Sequence, residues 1–77
     1  MNTKQNAPRI IECAHLTASD FDGAPDNCVV VKTGRASCFR VERQAPGVFI
    51  VYGRTEFVGG SLVVRGIERV RALLVTR

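Results

Sequence analysis

Cys13 and His15 stand two residues apart, and in an extended segment both would face one side. Such a Cys-x-His pair could open a zinc site completed by Cys28 and Cys38. Structural zinc sites draw paired ligands at short spacing from tight turns, whereas Cys28 and Cys38 flank a whole hairpin, so no metal is assigned. A Cys–His nucleophile needs a third group to orient the base and a pocket to work in, and the sequence offers neither. Asp20-Phe21-Asp22-Gly23 with Asp26 begins like a calcium loop, but the later oxygen ligands and bidentate Glu are missing. Gly59-Gly60 lies between strand-like runs, where a turn explains it, and not before a helix where it would cradle phosphate. The expectation is a protein that is not an enzyme and holds no cofactor.

Arginine remains. Residues 1 to 38 balance Lys4, Arg9, Lys32 and Arg35 against Glu12, Asp20, Asp22 and Asp26. The net charge of +4 therefore lies wholly in residues 39 to 77, where Arg40, Arg43, Arg54, Arg65, Arg69, Arg71 and Arg77 meet only Glu42, Glu56 and Glu68. A guanidinium is a planar, weakly hydrated fork suited to phosphate, carboxylate and aromatic faces. A two-residue hairpin at Gly59-Gly60 would set Arg54 opposite Arg65, and two like charges so placed repel unless an anion lies beside them. Glu56, diagonal to Arg65, is the competing neutraliser. Arg40, Arg43, Arg54, Arg65, Arg69 and Arg71 are the residues expected to bind a partner.

The elements that must position them fit one small domain, since 77 residues leave little beyond a single core. Hydrophobic residues make up 45% of the chain, too many for disorder, and no apolar run approaches a membrane span. No secretion signal is readable and the three cysteines are too few for a disulfide framework, so a cytoplasmic location is expected. Residues 1–8 read as a flexible tail and residues 9–77 as the domain. Thr17 to Asp20 has the spacing of a capping box, which predicts a helical turn around residues 17–22.

From Cys28 onward, β signals alternate with turns. Lys32-Thr33-Gly34 reads as a three-residue loop with Gly34 left-handed, which sets Cys28 opposite Cys38 and within reach of oxidation. Pro46-Gly47 suits the centre of a type II turn, and Val48 to Tyr52, apolar on both faces, reads as the central strand. Phe39, Phe49 and Tyr52 are expected in the core. Leu62 to Val64 pairs back across Gly59-Gly60. As a helix, residues 67–76 would put Arg71 inside the apolar stripe, about 40° from Ile67, so a turn followed by a strand over 70–76 is expected.

Val29-Val30-Val31-Lys32-Thr33-Gly34 resembles the first strand and glycine turn of Sm-like proteins, and Leu62-Val63-Val64-Arg65-Gly66 resembles their second motif. The family's Asp and Asn are absent between Arg40 and Phe49, so the resemblance implies architecture and no RNA-binding residues. The expected fold is mostly β, small α+β: a five-stranded antiparallel SH3-like or Sm-like barrel or meander with a short N-terminal helical turn. The expected function is a binding module whose arginine-bearing sheet face contacts an anionic macromolecule, with nucleic acid favoured. The alternative is a small adaptor or inhibitor, such as phage or mobile elements encode, docking on an acidic surface of a larger protein or nucleoprotein complex. No membrane partner is expected, and exposed strand edges are compatible with a homodimer.

Overall fold

The computed structural model describes residues 9–53 and 57–77. The expected tail at 1–8, and Arg54 and Glu56, lie outside the described residues. Five strands form one sheet in sequence order: β1 (Ile10–Glu12), β2 (Cys28–Lys32), β3 (Cys38–Ala45), β4 (Val48–Tyr52) and β5 (Ser61–Arg65), followed by the helix α1 (Ile67–Leu74). β1 runs parallel to β2 and the other neighbours are antiparallel. The expected mostly β fold with small α+β character is present, but the sheet is mixed and unclosed instead of an antiparallel barrel. Its fifth strand comes from Ile10–Glu12, before the first turn, and the segment expected to supply it is the helix. No helix among the described residues is long and apolar enough to cross a membrane.

Matching apolar residues across the strands sets the registers. Val29 pairs with Val41 and Val31 with Phe39, so Cys28 meets Glu42 and Cys38 meets Lys32. The expected three-residue loop would instead have set Val29 against Ser37 and Val31 against Arg35. The observed turn is longer, and Ala36 rather than Gly34 takes the left-handed position, at φ 64°. Cys28 and Cys38 are consequently four residues out of step, about 13 Å along the strands, well beyond disulfide reach. Pro46-Gly47 does make the expected tight turn, with Gly47 at φ 75°, after a register shift between Arg43 and Ala45.

The same rule governs the β4–β5 hairpin. Leu62 pairs with Val51 and Val64 with Phe49, which brings β5 against an apolar strand instead of against Arg54-Thr55-Glu56. Arg65 thus pairs with Val48 in this ladder, and Arg54, the partner expected for it, lies outside the described residues. The hairpin closes where the Gly53 amide donates to the Gly60 carbonyl at 2.9 Å. A β-carbon at Gly53 would lie 3.0 Å from the Phe39 ring and 3.1 Å from the Phe57 ring, so glycine lets both aromatics close over the strand end.

One face of the sheet carries the core: Val29, Val31, Phe39, Val41, Phe49, Val51 and Val64. Two coverings lie over it. The β1–β2 crossover supplies Cys13, Leu16 and Phe21, the last within 5.1 Å of the Phe49 ring centre. Its turn at Ala18–Phe21 is the expected one, held by the Thr17 amide donating to Asp20 Oδ2 at 2.8 Å.

Helix α1 supplies Val70 and Leu74, both fully buried, with Ile67 and Leu73 partly so. Arg71 sits on the stripe, as the strand argument noted, without penalty. Its Nη1 donates to the Leu16 carbonyl at 2.6 Å while the Cys13 thiol donates to the Arg71 carbonyl at 3.4 Å, so this arginine joins the two coverings. At the far end, the buried Thr33 hydroxyl donates to the Arg77 carbonyl at 2.9 Å and accepts from the Ser37 amide at 3.1 Å.

Ala72→Pro tests the helix. It removes an interior amide donor and sets the ring against the preceding turn, so it should cost about 3 kcal/mol, read as a lower urea midpoint at unchanged slope. Unchanged stability would favour an extended segment there.

Candidate binding surface

Side chains alternate across a strand, so the residues between the core positions form the opposite face, which no described element covers. Across it run Ile10, Val30, Arg40, Tyr52 and Ser61, one from each strand in register. Beside them lie Cys28, Glu42, Ile50 and Val63. Ile10 is 68% exposed and Val63 57%, whereas Val30, Val48, Ile50 and Tyr52 are half-buried among their neighbours. The face is apolar, with Glu12, Lys32, Arg40, Glu42 and Arg65 set into it. Tyr52 therefore belongs here and not in the core, where Phe39 and Phe49 do lie.

Arg40, Tyr52 and Glu42 form the one interlocked polar group on this face among the described residues. The Arg40 guanidinium carbon lies 4.6 Å from the centre of the Tyr52 ring, and the Tyr52 hydroxyl donates to Glu42 Oε1 at 2.7 Å. The cation stacks on the electron-rich ring face while the carboxylate holds the ring's far end, fixing all three side chains in one arrangement. The hydrogen bond to Glu42 stabilises the neutral phenol and pushes its pKa above the ordinary value; desolvation adds to this, and Arg40 opposes it. An open recess of about 570 Å³ borders the group, lined by Cys38, Phe39, Arg40, Tyr52, Gly53 and Gly60.

Of the six arginines expected to bind together, the five that are described occupy separate places. Arg40 and Arg65 are both exposed on the open face, but two strands and four residues apart, or about 16 Å between their α-carbons. Arg43 projects on the core side, where it pairs with Asp22 at 2.9 Å and donates to the Ala18 carbonyl at 3.4 Å. Arg69 is exposed on α1, and Arg71 is engaged with Leu16. Arg54 lies outside the described residues.

The cysteines show no reactive arrangement. Burial pushes the Cys13 thiol up, with Arg71 partly offsetting it, and burial likewise raises Cys28. Both are held as neutral thiols, the opposite of an activated nucleophile. His15 and Cys38 are exposed. Among the described residues no three His, Cys, Asp or Glu side chains come close enough to hold a metal.

The apolar members of the open face, Ile10, Val30, Ile50 and Val63, did not enter the sequence-based set of binding residues. The signal was present in Val48 to Tyr52: a strand apolar on both faces must place half its side chains opposite the core, and only the covered side has a partner. Comparison with models of known protein families, with curated proteins and with solved structures found no match, so the Sm-like resemblance remains one of short sequence segments.

The chain's only tyrosine and its lack of tryptophan make the interlocked group easy to observe. Glu42→Gln removes the carboxylate that favours the neutral phenol and leaves Arg40, which favours the phenolate. Ultraviolet titration should show the Tyr52 pKa falling. A raised folded-state pKa means that Tyr52 stabilises the fold fully below pH about 10 and loses that contribution as pH rises through its folded value. The variant should therefore retain less of this alkaline loss.

Proposed function

We propose that this protein is a small non-enzymatic binding module that docks on a larger protein through the open face of its sheet. The observation that carries this is the apolar content of that face, which lacks a described cover: exposed Ile10 with half-buried Val30 on one side of β3, and exposed Val63 with half-buried Val48, Ile50 and Tyr52 on the other, with Arg40 and Glu42 between them. Exposed apolar side chains flanking a fixed arginine and tyrosine are a composition found in protein interfaces. Arg40, already desolvated on one side by Tyr52 and held in place, is suited to be the central anchor, since aromatic and arginine residues dominate binding energy at such sites.

The partner's chemistry follows from the same residues. It presents apolar side chains to Ile50, Val30 and Val63, and carboxylates to Arg40 and Arg65. The excess of +4 would steer an acidic surface toward the module. Nucleic acid fits this face less well. Arg40 and Arg65 stand about 16 Å apart with the Glu42 carboxylate between β2 and β4 positions, and stacking would have to use the single tyrosine, which is already covered by Arg40.

Affinity capture from source-cell lysate with and without nuclease, repeated with Arg40→Glu and with Arg69→Glu, tests the proposal. The expected result is a protein retained after nuclease treatment, lost with Arg40→Glu and kept with Arg69→Glu. Its binding should depend only modestly on salt. Capture that vanishes with nuclease, and weakens with salt at a log–log slope of about −0.9 per neutralised phosphate, would replace the protein partner by duplex nucleic acid.

A further inference from the structure

We propose that two copies of this chain pair through β5, edge to edge and antiparallel about Val63, to form one continuous ten-stranded sheet.

The phase of the β4–β5 ladder decides which backbone groups are available. The Gly53 amide donates to the Gly60 carbonyl at 2.9 Å and the Gly66 amide to the Gly47 carbonyl at 2.8 Å. In an antiparallel ladder, bonded pairs alternate with non-bonded ones. The two terminal bonds therefore place Leu62 with Val51 and Val64 with Phe49 as the bonded pairs between them. The amides and carbonyls of Ser61, Val63 and Arg65 consequently point away from β4, to the outer edge. No described residue bonds them there.

These three residues are symmetric about Val63, which is the requirement for an isologous interface. With Val63 opposite Val63 of the second copy, the two valines exchange both of their backbone bonds. Ser61 does the same with Arg65 of the second copy, and Arg65 with Ser61 of the second copy. All six outward donors and acceptor pairs are then used. The side chains agree with this register. On the open face, Val63 lies beside its equivalent, removing from water two side chains that are each 57% exposed in one chain. On the core side, Leu62, which is 40% exposed, comes against Val64 of the second copy.

Charge selects the same register. The guanidinium of Arg65 faces a serine, and the two arginines lie at opposite ends of the seam. Centring the pairing on Arg65 would set the two cations directly opposite, which is destabilising. Centring it on Ser61 would leave most of the strand unpaired.

β5 also lacks the usual protections of an edge: it contains no proline, no lysine and no acid, and its ladder shows no register shift. The other edge, β1, has three residues and ends on Glu12. Because the two-fold axis runs perpendicular to the sheet, both open faces lie on one side. The pairing takes up Val63 at the β5 margin of that face and leaves Val30, Arg40, Ile50 and Tyr52 open.

Sedimentation equilibrium of the full chain from micromolar to millimolar concentration tests the pairing, with backbone amide exchange as the site-specific readout. The expected result is a reversible rise to twice the monomer mass, with exchange at Ser61, Val63 and Arg65 slowing as concentration rises. Val63→Pro removes a donor that the β4 ladder does not use, and should leave a folded protein that stays at the monomer mass. Val63→Lys keeps the amide but opposes two ammonium groups, and should also stay monomeric; it decides the matter if the proline variant fails to fold. A monomer at every concentration overturns the proposal. So does a dimer in which the three amides exchange at the monomer's rate, or one that persists in a folded Val63→Lys variant.

Discussion

A sheet of five strands spaced about 4.8 Å apart is about 24 Å wide, and one helix with its side chains covers about 10 to 12 Å of that width. Burying one face therefore takes two elements side by side. Here they are the β1–β2 crossover and α1, and after they are placed the described residues hold nothing with which to cover the second face. Among the described residues the open face thus follows from both coverings being used on the other side. Its apolar content does not, because β2 and β4 could have alternated strictly between apolar and polar residues. They place Val30, Val48 and Ile50 on the uncovered side instead.

Two coverings on one face must be held to each other as well as to the sheet. Arg71 does this with a charged donor directed at the Leu16 carbonyl, a bond worth about 1.5 to 3 kcal/mol where a neutral one would be worth about 1. Cys13 returns a weaker bond to the backbone of Arg71. Thr33 performs the corresponding task at the other end of α1, where Gly34 allows the Val75 carbonyl to approach within 3.1 Å of where a β-carbon would stand. Two of the residues that looked most chemical in the sequence, Cys13 and Arg71, are in this way consumed by architecture.

The strands β2 to β5, the Pro46-Gly47 turn and the capped turn at Thr17 were all legible, because each carries its own local signal. The two hairpin registers were not. Both expectations assumed a short loop, of three residues at Lys32-Thr33-Gly34 and of two at Gly59-Gly60. Lengthening a loop twofold costs only about 0.6 kcal/mol, whereas burying a valine or phenylalanine yields about 1.5 to 3 kcal/mol. Val31 against Phe39, and Val64 against Phe49, outweigh the saving in loop length each time. Helix α1 was missed for a related reason: the sequence shows Arg71 on the apolar stripe but not the Leu16 carbonyl that makes it acceptable there. β1 was missed because three residues, Ile10–Glu12, are too few for a periodicity.

The register also governs which arginines remain for function. Had β5 paired with residues 54 to 58, Arg65 would have stood opposite Arg54; paired with Val48, it stands four residues along β5 from Ser61, which shares the row of Arg40. Arg43 is drawn to the core side by the alternation of β3 and meets Asp22 there. In the proposed docking, one cation immobilised on a tyrosine would fix the orientation of a protein surface, a role the dispersed described arginines do not share. Arg40 is the one arginine on the open face that the described residues hold in a fixed arrangement, stacked on Tyr52.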